Sequence, residues 1–192
     1  MKNIDLLIDE FVAKVNTLSQ LPLDEEEVPP FLRGSGPDEY GQYLWKIVPM
    51  DCSAWVDPFT GKLSKKLPPS YLSLINRYAF PAFELGPIMF YSNTGQEIAW
   101  ELSNKIFSDE HLSSILQRHG LLQIGNPYFY NYVPICFDGK TGKGNEYPLV
   151  QIDHESILCD SKVKVIKEIA PSFESFVESV IHGCFFEVRR LG

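Results

Sequence analysis

Apolar residues near the N-terminus recur at steps of three and four positions, which places them on one face of a helix. The residues with this spacing are Ile4, Leu7, Ile8, Phe11, Val15 and Leu18. Asn3 stands where it can cap the start of the helix, and Pro22 interrupts the pattern. The chain is therefore predicted to begin with an amphipathic helix.

Three further segments carry the end signals of helices. The helix predicted over residues 69–78 begins with proline, which has no N–H to leave unsatisfied in a first turn. Ser108 is the predicted cap of the next helix, and Gly120 closes it in a left-handed conformation. The last helix is predicted to begin near Ser172 and to end at Gly183. Its apolar face consists of Phe173, Phe176, Val177, Val180 and Ile181.

The second half of the chain is rich in β-branched and aromatic runs, which are typical of strands. The predicted strands cover residues 88–91, 121–124, 128–137, 149–152 and 162–166. In the last of these, valines alternate with lysines, so one face is predicted to be exposed to water. Helices followed by antiparallel-type strands and a closing helix indicate the α+β class. The expected architecture is a central, mostly antiparallel sheet flanked by helices.

The chain of 192 residues is long for one domain and short for two. Residues 22–42 are rich in proline, glycine and charge, which predicts a loop that lies over the domain. The pattern over residues 43–55 favours neither helix nor strand. We predict an extension of residues 1–59, made of the first helix and an acidic loop and packed on the core, and a domain of residues 60–192.

The charge is unevenly distributed. Residues 1–60 contain 11 acids and 4 bases, a net of −7, whereas residues 61–192 contain 14 acids and 13 bases, a net of −1. The acids of the predicted loop are Asp24, Glu25, Glu26, Glu27, Asp38 and Glu39. Such a surface repels nucleic acid and attracts basic partners, so direct nucleic-acid binding is not expected. The alternative is a solvated loop that only keeps the protein dissolved.

The four cysteines, at positions 52, 136, 159 and 184, are too far apart in sequence for a Cys-x-x-Cys metal or redox pair. Cys136 and Cys184 lie beside apolar residues, and we expect both to be buried free thiols. The N-terminus is not of the secretory type, and no run approaches the ~20 apolar residues of a membrane helix. These features predict a cytoplasmic protein without membrane contact.

The segment Gly139-Lys140-Thr141 has part of the pattern of a phosphate-binding loop. The full loop requires a glycine five residues before the Gly-Lys pair, and that position is Pro134. No helical pattern follows Thr141 to direct a helix N-terminus at a phosphate. The segment is therefore predicted to be the turn of a β-hairpin.

Neither a catalytic centre nor a metal or cofactor site is predicted. The histidines, at positions 111, 119, 154 and 182, offer no close ligand pair. We interpret Asp153-His154-Glu155 as part of a strand, in which adjacent side chains point to opposite faces and do not converge. Nothing in the spacing supports a nucleophile pair of Cys159 with His154.

Two further readings stay open. The aromatic residues at 128–132 suit either a stacking platform for carbohydrates or bases, or packing in the core and at the sheet edge. A hydrolase with paired carboxylates would show a cleft in which carboxyl pKa values are strongly shifted. Neither reading has a motif of its own.

Four segments, taken in order, carry a resemblance to a known family. They are Leu67-Pro68-Pro69-Ser70-Tyr71 with Leu74 and Tyr78, then Tyr132-Val133-Pro134-Ile135-Cys136-Phe137-Asp138, then Pro148-Leu149-Val150-Gln151-Ile152-Asp153-His154, and finally Ala170-Pro171-Ser172-Phe173-Glu174-Ser175-Phe176-Val177. Over about residues 60–185 the chain resembles the SUKH superfamily, which includes fungal Smi/Knr-type cell-wall regulators and many bacterial immunity proteins. It departs from the family at residues 80–86, where a tryptophan- and glycine-containing segment is common.

The resemblance implies an α+β fold without enzymatic activity. In bacteria it implies a cytoplasmic antitoxin that binds a toxin domain, often a nuclease or deaminase. An acidic protein that neutralises a basic toxin is physically coherent, because complementary charge accelerates encounter and favours the right partner. Our first hypothesis is therefore an immunity protein whose loop acids contact the toxin. The second is a regulatory or scaffold protein of the Smi/Knr type without a toxin partner.

Overall fold

The computed structural model describes residues 3–18, 20–94, 100–127, 133–142 and 145–184, and the structural statements below concern these residues. The helices are α1 (Ile4–Val15), α2 (Ser53–Thr60), α3 (Pro69–Arg77), α4 (Trp100–Phe107), α5 (Glu110–Arg118), α6 (His154–Asp160) and α7 (Phe173–Ile181). The strands are β1 (Val48–Pro49), β2 (Tyr78–Ala79), β3 (Phe83–Leu85), β4 (Ile88–Phe90), β5 (Leu121–Asn126), β6 (Ile135–Asp138), β7 (Leu149–Ile152) and β8 (Val165–Ala170).

The predicted helices are present, and most of their end signals act as expected. The Asn3 side chain accepts a hydrogen bond from the Asp5 N–H at 3.0 Å, and Ser172 caps α7 in the same way. Gly120 and Gly183 have positive φ, as helix-closing glycines do. The predicted cap of α5 is wrong by one residue, because Asp109 and not Ser108 accepts the first-turn N–H.

Three helices were not predicted, namely α2, α4 and α6. Of these, α6 corrects the interpretation of Asp153-His154-Glu155 as a strand. Asp153 is the N-cap of α6, and its carboxylate accepts a hydrogen bond from the Ser156 N–H at 3.3 Å. Hydrogen bonds from Ser156 hold the pKa of Asp153 below its ordinary value.

The six strands β3 to β8 form one sheet in sequence order, and every neighbouring pair is antiparallel. The strands β1 and β2 pair separately. Alternate residues of the large sheet contribute to two hydrophobic clusters, since successive side chains point to opposite faces. Phe137 and Leu149 join the cluster with α1, α3 and α7, whereas Cys136 and Val150 join the one with α5 and α6. The predicted α+β fold is confirmed.

The strand β8 forms one edge of the sheet and differs from the prediction. It begins at Val165, later than predicted. Residues 165–168 are all exposed, so the two faces do not alternate between buried and water-exposed side chains as predicted. Its pairing with β7 shifts register twice, with Ile166 and Ile169 as the extra residues. The exposed lysines Lys164 and Lys167 flank the exposed Val165 and Ile166.

Helix α1 packs into the main hydrophobic core. Its buried face is Leu7, Ile8, Phe11, Val12 and Val15. These side chains belong to the same cluster as Tyr71, Phe137 and Phe173. The boundary between residues 59 and 60 therefore lies within shared packing, and the proposed two-part division stays a prediction.

Aromatic rings meet at Phe173. Its ring centroid lies 5.3 Å from that of Tyr71, 5.8 Å from Phe137, 6.3 Å from Phe90 and 6.4 Å from Phe11. These distances are in the range where edge-to-face ring pairs are favourable. The contacts join α1, α3 and α7 to the centre of the sheet.

The free thiols occupy two environments. Cys52 and Cys136 are buried, as expected for Cys136, and burial raises the pKa of Cys52 to about 11. The prediction for Cys184 is wrong, since this thiol is exposed beyond the end of α7. Cys159, in α6, is exposed as well.

Replacing Tyr71 with phenylalanine should stabilise the fold. The Tyr71 hydroxyl is fully buried and has no hydrogen-bond partner within the described residues. An unsatisfied buried hydroxyl costs about 1–3 kcal/mol, so Tyr71→Phe should raise the free energy of unfolding by up to that amount. Tyr71→Ala, which also removes the ring, should lower it by about 3–5 kcal/mol. Urea denaturation measures both, and a clear loss in Tyr71→Phe would contradict the assignment.

A polar seam joins α1 to α3 and β2. The Tyr78 hydroxyl donates to Asp9 Oδ1 at 2.6 Å, and Arg77 Nη2 lies 2.7 Å from the same oxygen. One turn away, the Ser73 hydroxyl donates to Asp5 Oδ1 at 2.7 Å. The seam fixes the rotation of α1 about its axis while its other face enters the core.

Alkaline unfolding tests this seam. Burial and the hydrogen bond to Asp9 raise the pKa of Tyr78 from 10.0 to about 12. The folded state thus disfavours the phenolate, and this contribution to stability is complete below pH 10 and lost as the pH approaches 12. The free energy of unfolding should fall less steeply over this interval in Tyr78→Phe than in the wild type. Identical slopes in urea denaturation would contradict the raised pKa.

Candidate functional site

The acidic loop is attached to the core through residues 45–47, which we call its base. Asn16, at the end of α1, exchanges two hydrogen bonds of 2.9 Å with the backbone N–H and carbonyl of Ile47. The Trp45 ring is buried against Phe83 at 5.6 Å between centroids, and its indole N–H donates to the Leu21 carbonyl at 3.2 Å. Both ends of the loop are thereby tied to the core.

Arg33 braces the loop from inside. Its guanidinium lies 3.0 Å from Glu25 Oε1 and also donates to the carbonyls of Glu25, at 3.1 Å, and Val28, at 3.0 Å. It lies over the Tyr43 ring, 4.2 Å from the centroid. Only 19% of the arginine side chain is exposed. These contacts hold residues 25–28 in a turn, in which the glutamate side chains of residues 25–27 are exposed and Val28 is buried in the core.

Gln42 joins the two acidic segments. Its side-chain amide donates to Asp24 Oδ1 at 3.2 Å, and its backbone N–H donates to Asp38 Oδ1 at 2.9 Å. An antiparallel bridge between Leu23 and Tyr43 holds the adjoining backbones together. The carboxylates of Asp24 and Asp38, 14 positions apart in sequence, therefore lie at opposite ends of one glutamine.

The six loop acids differ in whether their carboxylates already have a partner within the protein. Glu25 pairs with Arg33, and the Glu27 carboxylate accepts the Asp24 N–H at 3.1 Å. Glu26 and Glu39 are exposed and have no hydrogen bond or ion pair within the described residues. Within the predicted set of six, these two are the carboxylates most available to a partner.

The apolar part of this surface was not predicted from the sequence. Tyr40 is 80% exposed at the tip of a turn that Asp38 and Gly41 form, and Gly41 adopts a positive φ of 81° there. Phe31 is 47% exposed. Tyr40 stands between the charged Glu39 and Gly41 in a turn, where no apolar neighbours in sequence would form a core around its ring. This local pattern could have identified Tyr40 as an exposed aromatic residue. We call the six acids together with Phe31 and Tyr40 the acidic face.

The other candidates do not gather into a site. Lys140 and Thr141 both donate to Asp138, which forms the predicted hairpin turn up to the described residue 142. His154 and Cys159 both lie in α6, and the thiol points to solvent. Partial burial raises the pKa of Glu84 on β3. It is the one carboxyl raised in this way within the described part of the chain, whereas a hydrolase was expected to show a pair. The aromatic residues at 128–132 lie outside the described residues.

In the ranges that the structure covers, three or more His, Cys, Asp or Glu side chains never come together as they would around a metal ion. The helices within the same ranges are all too short or too polar to cross a membrane. Comparison of the sequence with protein-family models and with curated proteins finds no match.

The contribution of the Arg33 contacts to the acidic turn can be tested by removing this side chain. Arg33→Ala breaks one ion pair and leaves two carbonyls without their donor, which should cost about 1–3 kcal/mol of unfolding free energy. Amide hydrogen exchange should accelerate most at residues 25–28, because their turn depends on this side chain. Lys46→Ala, an exposed cation on the same base, is the control and should change neither quantity. Unchanged exchange at residues 25–28 in Arg33→Ala would show that the turn holds without the guanidinium.

Proposed function

We propose that this protein is a non-catalytic binding protein of the immunity type, related to the SUKH superfamily. It neutralises a basic toxin domain, such as a nuclease or deaminase, by covering the active-site face of that domain. The observation that carries this proposal is the acidic face itself. Two acidic segments meet at Gln42, and an almost fully exposed Tyr40 stands between Asp38 and Gln42.

The composition of the acidic face suits a protein partner. Binding energy at protein interfaces is concentrated in a few aromatic and arginine residues, and surrounding charges contribute mainly to encounter rate and selectivity. Tyr40 and Phe31 supply large apolar contacts, whereas Glu26 and Glu39 supply unpaired charge. A nuclease that binds nucleic acid presents a basic surface, which is complementary to both the sign and the exposure of these carboxylates.

The rigid base of the acidic face also favours binding. Since Arg33, Gln42 and Trp45 hold the loop before any partner arrives, little conformational entropy remains to be lost on association. The net charge of −7 over residues 1–60 attracts basic partners, and salt limits the range of this attraction to about 8 Å at physiological ionic strength. We place this activity in the cytoplasm, where the four unpaired cysteines stay reduced.

Reversing two charges tests the proposal. In Glu26→Lys/Glu39→Lys neither change removes a contact of the described residues, so the fold should be unaffected. The variant and the wild type are used to capture proteins from lysate of the source organism at low and high salt. The wild type should retain a basic toxin-like protein that salt releases, and the variant should bind the purified partner at least ~100-fold more weakly, given about 1.5 kcal/mol or more per close charge pair.

The control is Asp160→Lys/Glu168→Lys, which makes the same change in net charge at exposed positions outside the acidic face. It should bind like the wild type. Coexpression then separates binding from protection, since the wild type and the control should rescue cells from the toxin and the acidic-face variant should not. Equal binding by all three proteins would reject the acidic face. Capture of cell-envelope or housekeeping proteins alone would favour the regulatory or scaffold function.

A further inference from the structure

An open groove of about 920 Å³ lies on another part of the surface, between the end of α2, the start of α3 and the segment that leads into β7. Its apolar lining includes Leu63, Leu72 and Tyr147, which are partly buried and pack against the main core. Sites for small molecules commonly combine a volume of about 300–1,000 Å³ with an apolar lining and a few polar groups. The groove has both properties.

The charged groups of the groove are mainly basic, in contrast to the protein as a whole. Lys65 and Lys66 line it, and neither has a hydrogen bond or ion pair within the described residues. A third lysine, Lys140, lies near Lys65, because both side chains pass over Gly120. A β-carbon built on Gly120 would be 3.6 Å from Cε of Lys65 and 3.3 Å from Cγ of Lys140. Asp57 is the acid among the lining residues.

A nearby acid is already engaged. Glu146 stands between the lining residues Asn145 and Tyr147, but its carboxylate accepts hydrogen bonds from the Ser70 N–H at 3.0 Å and the Ser70 hydroxyl at 2.8 Å. It therefore satisfies the first turn of α3 and leaves the lysines uncompensated. Unpaired cations at the edge of an apolar lining are complementary to a molecule with an anionic head and an apolar body.

We infer that this groove binds a small amphiphilic carboxylate. The carboxylate lies between Lys65 and Lys66, and the hydrocarbon body contacts Leu63, Leu72 and Tyr147. Charge-assisted hydrogen bonds from the two ammonium groups orient the head, and burial of the hydrocarbon supplies most of the affinity. This site is separate from the acidic face and requires no protein partner.

Calorimetric titration of the full chain with octanoate tests the inference. Octanoate should bind saturably at one site, and 1-octanol, which has the same body without the charge, should bind about tenfold or more weakly. Lys65→Ala/Lys66→Ala should weaken octanoate by a similar factor and leave 1-octanol unchanged. Both lysines are exposed, so their removal leaves the core intact.

Lys105→Ala/Lys162→Ala is the matched control, because it removes two exposed lysines outside the groove and changes the net charge equally. It should bind octanoate like the wild type. Leu72→Asn should weaken octanoate and 1-octanol together. The inference is overturned by absence of saturable octanoate binding, by equal affinity for the alcohol, or by equal losses in the groove and control variants. Binding of an oligoglutamate peptide in place of octanoate would also overturn it, in favour of an acidic protein segment.

Discussion

The structure depends on the packing of aromatic rings around Phe173. The first helix, the helix that begins at Pro69 and the central strands all reach this side chain through the rings of Phe11, Tyr71 and Phe137. Because ring pairs of this kind prefer definite angles, they restrict how each helix can rotate on the sheet as well as excluding water. The N-terminal helix is thereby part of the main core, although it is far from the sheet strands in sequence.

That constraint extends outward to the acidic face. The first helix ends at Asn16, whose amide holds Ile47, and Trp45 fixes the adjoining backbone against Phe83. Arg33 then orients the acidic turn from within. Each layer depends on the one beneath it, so a mutation in the aromatic core would disturb the charged surface without touching a charged residue. The side chains of Glu26 and Glu39 make no hydrogen bond or ion pair within the described residues, whereas the backbone that carries them is held in place by the contacts beneath it.

Some elements with local end signals could be predicted from the sequence, but α6 was read as a strand although its cap at Asp153 is equally local. Elements that depend on distant contacts could not be predicted. The cap Asn3 is local and was identified correctly, and the last helix begins near Ser172 as predicted. The N-cap residue of helix α2, Cys52, makes no side-chain capping bond, and the helix contains Pro58, so its formation relies on burial of Val56 and Phe59. The loop acids were recognised by composition, but their meeting at Gln42 is set by the bridge between Leu23 and Tyr43, which periodicity does not reveal.

The exposed edge strand β8 has a consequence for behaviour in concentrated solution. A sheet edge offers unpaired backbone groups on which a second chain can add a strand, and this is a common start of aggregation. Here the two extra residues, Ile166 and Ile169, interrupt the regular spacing of those groups, and Lys164 and Lys167 would lose hydration if another strand approached. Natural sheets use the same two devices against growth. At high concentration the β8 edge should therefore resist the addition of a strand from a second copy of the chain.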